Sequence, residues 1–200
     1  NIIYGNHGCP SLQSKYLDSK HYISQTQKLD KTLHQIRMLV PRGALLIPVN
    51  DYYLEFTLRF FEELSNDFHL SYGDKRSTMR LINKQDLQRV AASVDIEVPK
   101  TRLVSSLDDI DKLETLDLAF PVIVKPVKSC MVVNDFILST SVKNIVTLEK
   151  LTLELTLNIN NIDYMVQEYI PGSGSALNFF AVNGEIKVAF QYERIHEPGF

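Results

Sequence analysis

The feature that most constrains the fold of this chain is a repeated switch between short, unbroken apolar runs and segments whose apolar residues recur every three or four positions. Leu29, Leu33, Ile36 and Val40 carry the helical spacing. Pro41-Arg42-Gly43 stops that helix, and Ala44-Leu45-Leu46-Ile47-Pro48-Val49 follows with the pattern of a strand buried on both faces of a parallel sheet. Tyr53, Phe56, Phe60 and Leu64 return to the helical period, so residues 52–64 read as one amphipathic helix packed on that sheet. Strand, helix, strand, helix is the order of an open α/β layer. Ligands gather beyond the C-terminal strand ends of such layers, which makes Asn50 and Asp51 pocket candidates. Capping of the following helix is an equal reading of Asp51.

The second half changes character. Leu87, Val90, Ala91 and Val94 mark a helix over 84–94, and Pro99 turns its exit extended. A short strand follows at Arg102-Leu103-Val104, then a capping-box pattern at Ser105-Ser106-Leu107-Asp108-Asp109 that opens a helix over 107–116. Pro121-Val122-Ile123-Val124-Lys125-Pro126 is a β-branched run with a lysine at its end. Residues 136–139 read as the returning strand of a hairpin. Leu148, Leu151 and Leu155 mark one face of another helix, and 164–170 returns as a strand broken by Pro171-Gly172-Ser173-Gly174. Asn183-Gly184 joins the last two strands, because both residues tolerate positive φ. Tyr164, Phe179, Phe180 and Phe190 fall on strands and are expected in the core rather than as stacking platforms for bases.

Several function classes are disfavoured. A net charge of -3 and a pI near 6.0 give no general affinity for nucleic acid or a membrane surface, so any anionic ligand must be held locally. Cys9 and Cys130 match no metal or disulfide spacing, and the five histidines are scattered, so a reducing cytoplasmic location is expected and a zinc site is not. No apolar run approaches the roughly 18 residues of a membrane helix. Neither a Gly-rich phosphate loop nor a Gly-x-Ser-x-Gly elbow is present. The chain begins at Asn1 and ends on Pro198-Gly199-Phe200, and both ends look cut.

What remains is an ordered set: Asn83-Lys84 opening a helix, Pro99-Lys100-Thr101 after it, Val124-Lys125-Pro126 ending a strand, and Gln167-Glu168-Tyr169-Ile170-Pro171-Gly172 ending another. In this set the sequence resembles the ATP-grasp superfamily, with most likeness to the branch of carbamoyl-phosphate synthase and biotin carboxylase. The resemblance implies an α/β chain in which an N-terminal open α/β (pre-ATP-grasp) domain, 1–78, precedes an incomplete α+β ATP-grasp module. That module would consist of a nucleotide-binding subdomain, 79–170, and the start of a C-terminal sheet, 171–200. It assigns Lys84 and Lys125 to the phosphates of ATP, as mobile point charges. Gln167, Glu168, Tyr169 and Ile170 become the adenine hinge, with Glu168 accepting from the adenine amino group. As an ordinary strand residue, Glu168 would instead point to solvent. Arg194 would face the phosphate and substrate side as a catalytic residue, or stand as a plain surface arginine. Magnesium ligands are expected beyond Phe200.

The sequence also departs from that pattern. The segment expected to close over the phosphates reads Lys128-Ser129-Cys130-Met131-Val132-Val133-Asn134, without the glycines that let backbone amides approach phosphate closely. Lys128 and Ser129 could still donate to phosphate; a solvated turn is the alternative. Asn83 replaces an aspartate, Asp95 a helix-ending glycine, and Glu97 a proline. Asp95 tolerates positive φ and need not break its turn. The resemblance thus implies an ATP-dependent ligase acting on a small carboxylate through an acyl phosphate. Its rivals are a regulatory module that binds nucleotide without turnover and an unrelated α/β interaction domain.

Overall fold

A computed structural model describes residues 2–5, 8–115, 117, 119–159 and 162–195. They form two compact units, Asn1–Val98 with Pro126–Ser141, and Pro99–Lys125 with Val142–Phe200. Each encloses its own apolar cluster.

In the first unit the Leu29–Leu39 helix turns Leu29, Leu33 and Ile36 inward, as its spacing requires. The residues read as a single helix over 52–64 form two, Asp51–Arg59 and Phe61–Asp67, separated at Phe60 where φ is -104° and ψ is 32°. The apolar stripe nevertheless continues across the break, since Phe56, Phe60 and Leu64 are all buried in one cluster. Burial of that stripe depends on side-chain direction more than on an unbroken ladder, so the periodicity is real although the helix is not continuous.

The run 44–49 is corrected by the structure. Only Leu45–Leu46 forms a strand, paired in parallel with His69–Leu70, and Val49 is 79% exposed. Pro48 has no N–H to offer a ladder, which ends pairing after one short register. The segment 128–134, read from the sequence as closing over phosphates or as a solvated turn, is strand over Cys130–Val133. Cys130–Val133 pairs antiparallel with Phe136–Ser139 across a two-residue turn in which Asn134 and Asp135 both take positive φ. Two left-handed residues suit the twist of a hairpin, and Asn and Asp are the non-glycine residues that reach this conformation at least cost. This hairpin packs on the Asp51–Arg59 helix, placing Cys130 and Ile137 in the core.

The Lys84–Ala92 helix ends where Asp95 takes φ of 58° and the Ile96 N–H returns to the Ala91 carbonyl at 3.0 Å. Asp95 therefore does the work of the glycine it replaces, closing the helix through a left-handed residue.

The second unit is built on a four-stranded sheet in the order Thr101–Val104, Tyr164–Glu168, Val122–Pro126, Lys143–Ile145. The helix Leu148–Asn158 buries Leu151 and Leu155 fully, beside Val104, Val122, Val124 and Val166. The capping box at Ser106 and Asp109 forms as expected, but its helix stops at Asp111 and is followed by a 3-10 turn, Leu113–Thr115. Ser175–Val182 and Glu185–Glu193 make a separate antiparallel ribbon, with Asn183 at φ 51° and Gly184 at 80° in its turn. Phe179, Phe180 and Phe190, expected in the core, are instead about 60% exposed on this ribbon. A two-stranded ribbon shields neither of its faces, so alternation alone does not bury its aromatics.

Candidate functional site

In the first unit, Asn83 caps the Lys84–Ala92 helix by accepting the Gln85 and Asp86 N–H groups, each at 3.0 Å. Asparagine thus performs the capping role of the aspartate it replaces. The cap fixes Lys84 at the first helical position, where its N–H donates to the Val127 carbonyl at 2.9 Å. Its ammonium donates to the Ser129 hydroxyl at 3.0 Å and to the Pro126 carbonyl at 3.2 Å. Lys84 and Ser129 are therefore brought together. Burial pulls the Lys84 ammonium below the ordinary lysine range, opposed by the nearby Asp51 carboxylate and Cys130. Burial also pushes the Cys130 thiol up.

Lys128 is neither a solvated turn residue nor unengaged. Its ammonium donates to both Glu55 carboxylate oxygens, at 3.3 and 3.4 Å, with the two side chains only 28% and 13% exposed. Thr140 pins the segment from below, its hydroxyl donating to the Lys128 and Ser129 carbonyls, each at 3.0 Å. These groups surround a cavity of about 210 Å³. Lys84, Lys128 and Ser129 line it together with Asp51 and Glu55, while Leu81 and Ile82 supply apolar wall. Asn50, not Asp51, caps the Asp51–Arg59 helix, accepting the Tyr53 N–H at 3.0 Å, so Asp51 is left to line the cavity. Sequence reasoning missed Glu55. The available signal was its spacing of four from Asp51, which puts two carboxylates on one helix face.

In the second unit, Lys125 and Gln167 meet. The Lys125 ammonium donates to Gln167 Oε1 at 2.7 Å, Gln167 Nε2 donates to the Thr101 hydroxyl at 2.9 Å, and that hydroxyl donates to the Pro99 carbonyl at 2.9 Å. Gln167 is 6% exposed, so its amide is a buried polar group satisfied at both ends. Glu168 is held rather than solvated. One carboxylate oxygen accepts the Lys100 N–H at 2.7 Å, and the Glu168 N–H donates to the Lys100 carbonyl at 3.0 Å. Tyr169 and Ile170, just past the strand, are exposed. Arg194 is also exposed, with its N–H bonded to the Gly174 carbonyl at the end of the ribbon. Thr101 is the residue here that sequence reasoning did not single out; only its place in Pro99-Lys100-Thr101 marked it.

Among the described residues no three His, Cys, Asp or Glu side chains stand close enough to hold a metal ion, and no helix is long and apolar enough to cross a membrane.

The RimK-like ATP-grasp domain matches residues 73–199, well over half of the chain, and the chain belongs to that family. The carbamoyl-phosphate synthase and biotin carboxylase branch is not singled out. Comparison with curated protein sequences gives no match. Among solved structures, the chain resembles N5-carboxyaminoimidazole ribonucleotide synthetase in its ADP complex, with a TM-score of 0.63 and 15% identity over 98% of this chain and 47% of that one. It also resembles the Aspergillus clavatus N5-carboxyaminoimidazole synthase with ADP and 5-aminoimidazole ribonucleotide, at TM-score 0.61 and 12% identity over 100% of this chain and 48% of that one. Bacillus anthracis D-alanine–D-alanine ligase complexed with ATP gives a TM-score of 0.55 and 18% identity over 90% and 59%. The α/β fold is thus that of ATP-grasp proteins, and the chain spans about half the length of these structures.

Proposed function

We propose that this chain is the ATP-binding part of a ligase that joins a small carboxylate to an amine or similar nucleophile. The observation that carries this is the Thr101-Gln167-Lys125 relay, which holds an ammonium in place at the end of the Tyr164–Glu168 strand. In this reading Gln167, Glu168, Tyr169 and Ile170 form the adenine hinge, with Lys125 on the phosphates. Lys84, Lys128 and Ser129 are further phosphoryl donors, and Arg194 faces the reacting groups. The division at residues 78 and 170 follows these roles.

The chemistry asked of such a protein is positioning and charge stabilisation. A carboxylate oxygen attacks the γ-phosphorus, and the bond to the bridging oxygen breaks with its electron pair to give ADP and an acyl phosphate. The amine then attacks the carbonyl carbon, losing a proton and expelling inorganic phosphate. Lysines suit the first step because ammonium charge offsets that gathering on the phosphoryl oxygens. Magnesium would accompany the nucleotide and neutralise part of its charge; no residue described here is assigned to it. A cytoplasmic location is part of the same proposal, since that is where ATP and such substrates are abundant.

A second reading, a nucleotide-binding regulatory module without turnover, is favoured by one observation. The segment 128–134 carries no glycine, forms a regular strand over Cys130–Val133, and has its lysine already paired with Glu55. Hydroxylamine trapping separates the two. Full-length protein with ATP, magnesium and a panel of carboxylates is expected to release ADP and form a hydroxamate with at least one of them. Nucleotide binding with no ADP release across the panel would favour the regulatory module.

A further inference from the structure

Thr101, Gln167 and Lys125 belong to the second unit and stand on three neighbouring strands of its sheet, Thr101–Val104, Tyr164–Glu168 and Val122–Pro126. Thr101 is the antiparallel register partner of Gln167. Side chains alternate along a strand, and Val104, Val166, Val122 and Val124 point into the cluster under the Leu148–Asn158 helix. Thr101, Gln167 and Lys125 each lie an odd number of residues from those valines, so they form a row across the opposite face.

The hydrogen bonds along this row can run in one direction only. An ammonium has donors and no acceptor, so Lys125 requires the oxygen of the Gln167 amide, which it meets at 2.7 Å. That turns the amide nitrogen toward Thr101, whose hydroxyl accepts from it at 2.9 Å. The single hydroxyl proton is then directed to the Pro99 carbonyl, also at 2.9 Å. Gln167 is 6% exposed, so a lost partner would leave its amide buried and unsatisfied. Without the Thr101 acceptor, the orientation that aims the amide oxygen at Lys125 is no longer enforced. The tether is also neutral. Glu55 offsets the charge of Lys128, whereas an amide fixes the Lys125 ammonium without cancelling its charge.

We propose that Thr101 is a positioning residue for nucleotide binding: acting through Gln167, its hydroxyl holds the Lys125 ammonium where it meets the phosphates. This rests on the ligase reading, which puts Lys125 on those phosphates, and adds to it a residue that acts on the ammonium at one remove.

Calorimetric titration of the full-length protein with ATP and magnesium tests this in a double-mutant cycle. Thr101→Val keeps the side-chain shape and removes the hydroxyl; ATP affinity should fall roughly fivefold or more, the scale of one hydrogen bond. Thr101→Ser, which keeps the hydroxyl, should bind nearly as the parent does. In a Lys125→Ala background, Thr101→Val should cost nothing further, because a residue that acts through the ammonium has no effect once the ammonium is gone. A purely structural role for Thr101 predicts the opposite, since its loss would persist in that background. Additive losses, parent-like affinity in Thr101→Val, or a Thr101→Ser variant as weak as Thr101→Val would overturn the positioning role alone. Lys125→Ala binding as tightly as the parent, or no binding by the parent, would overturn the nucleotide reading and this role with it. Thr101→Ala also lacks the hydroxyl and gives the same comparison if Thr101→Val does not fold.

Discussion

Lys128 is tied to Glu55 across a partly buried ion pair, and that pairing sets what its ammonium can offer a ligand. Replacing Glu55 with glutamine keeps the shape and removes the competing charge. Under the ligase reading Glu55→Gln should tighten ATP binding severalfold by calorimetry, whereas unchanged affinity would place Lys128 outside the phosphate site. Tyr52 gives a residue-scale prediction for pH. Burial is the main cause that raises its phenol from 10.0 to about 12, and its hydroxyl donates to the Gln25 carbonyl at 3.3 Å. A raised pKa means that the folded state holds the proton longer, so the stability contributed is fully present below pH 10.0 and is lost as pH rises toward about 12. Denaturant midpoints taken across that window should fall less steeply in Tyr52→Phe than in the parent. Lys84 has the opposite sign: its depressed pKa makes the unfolded state bind more protons just below the ordinary lysine value, so its contribution to stability rises with pH there. At this scale the sequence was informative where chemistry is local. Asn83 as a cap and Asp95 at positive φ follow from what those side chains can do to their own backbone. The partners Glu55 and Thr101 did not follow, because each lies across a fold that joins residues 66 to 73 positions apart.

Among the elements, helices proved easier to read than strands. A helical stripe is written in one segment, so Leu29–Leu39 and the core face of Leu148–Asn158 could be read directly. Strand burial depends on what covers the strand. Residues 44–49 and the aromatic ribbon at Ser175–Val182 and Glu185–Glu193 have the composition of buried strands but expose much of it. The second unit's core offers a quantitative check. Leu155 is fully buried against the sheet, and Leu155→Ala should cost about 2–5 kcal/mol in chemical denaturation, the range for a leucine removed from a packed core. Asn83→Ala removes an acceptor from the start of a more exposed helix and should cost only about 1 kcal/mol. Equal losses for the two variants would contradict the packing described.

At the level of the whole molecule, family membership was legible from the order of a few polar residues along the chain. The match over residues 73–199 takes in Lys84, Lys125 and the segment 167–170. The reaction was less legible, since the fold brings together side chains from distant segments, as Asp51 and Glu55 are assembled with Lys84 and Lys128 around one cavity. The most direct measurement is calorimetric titration of the full-length protein with ATP and magnesium, alongside Lys125→Ala and Glu168→Ala. Saturable binding in the parent, weakened about tenfold or more in each variant, is the expected result, because each removes a charged hydrogen-bonding group. Equal affinity in all three proteins would contradict a nucleotide site built on Lys125 and Glu168.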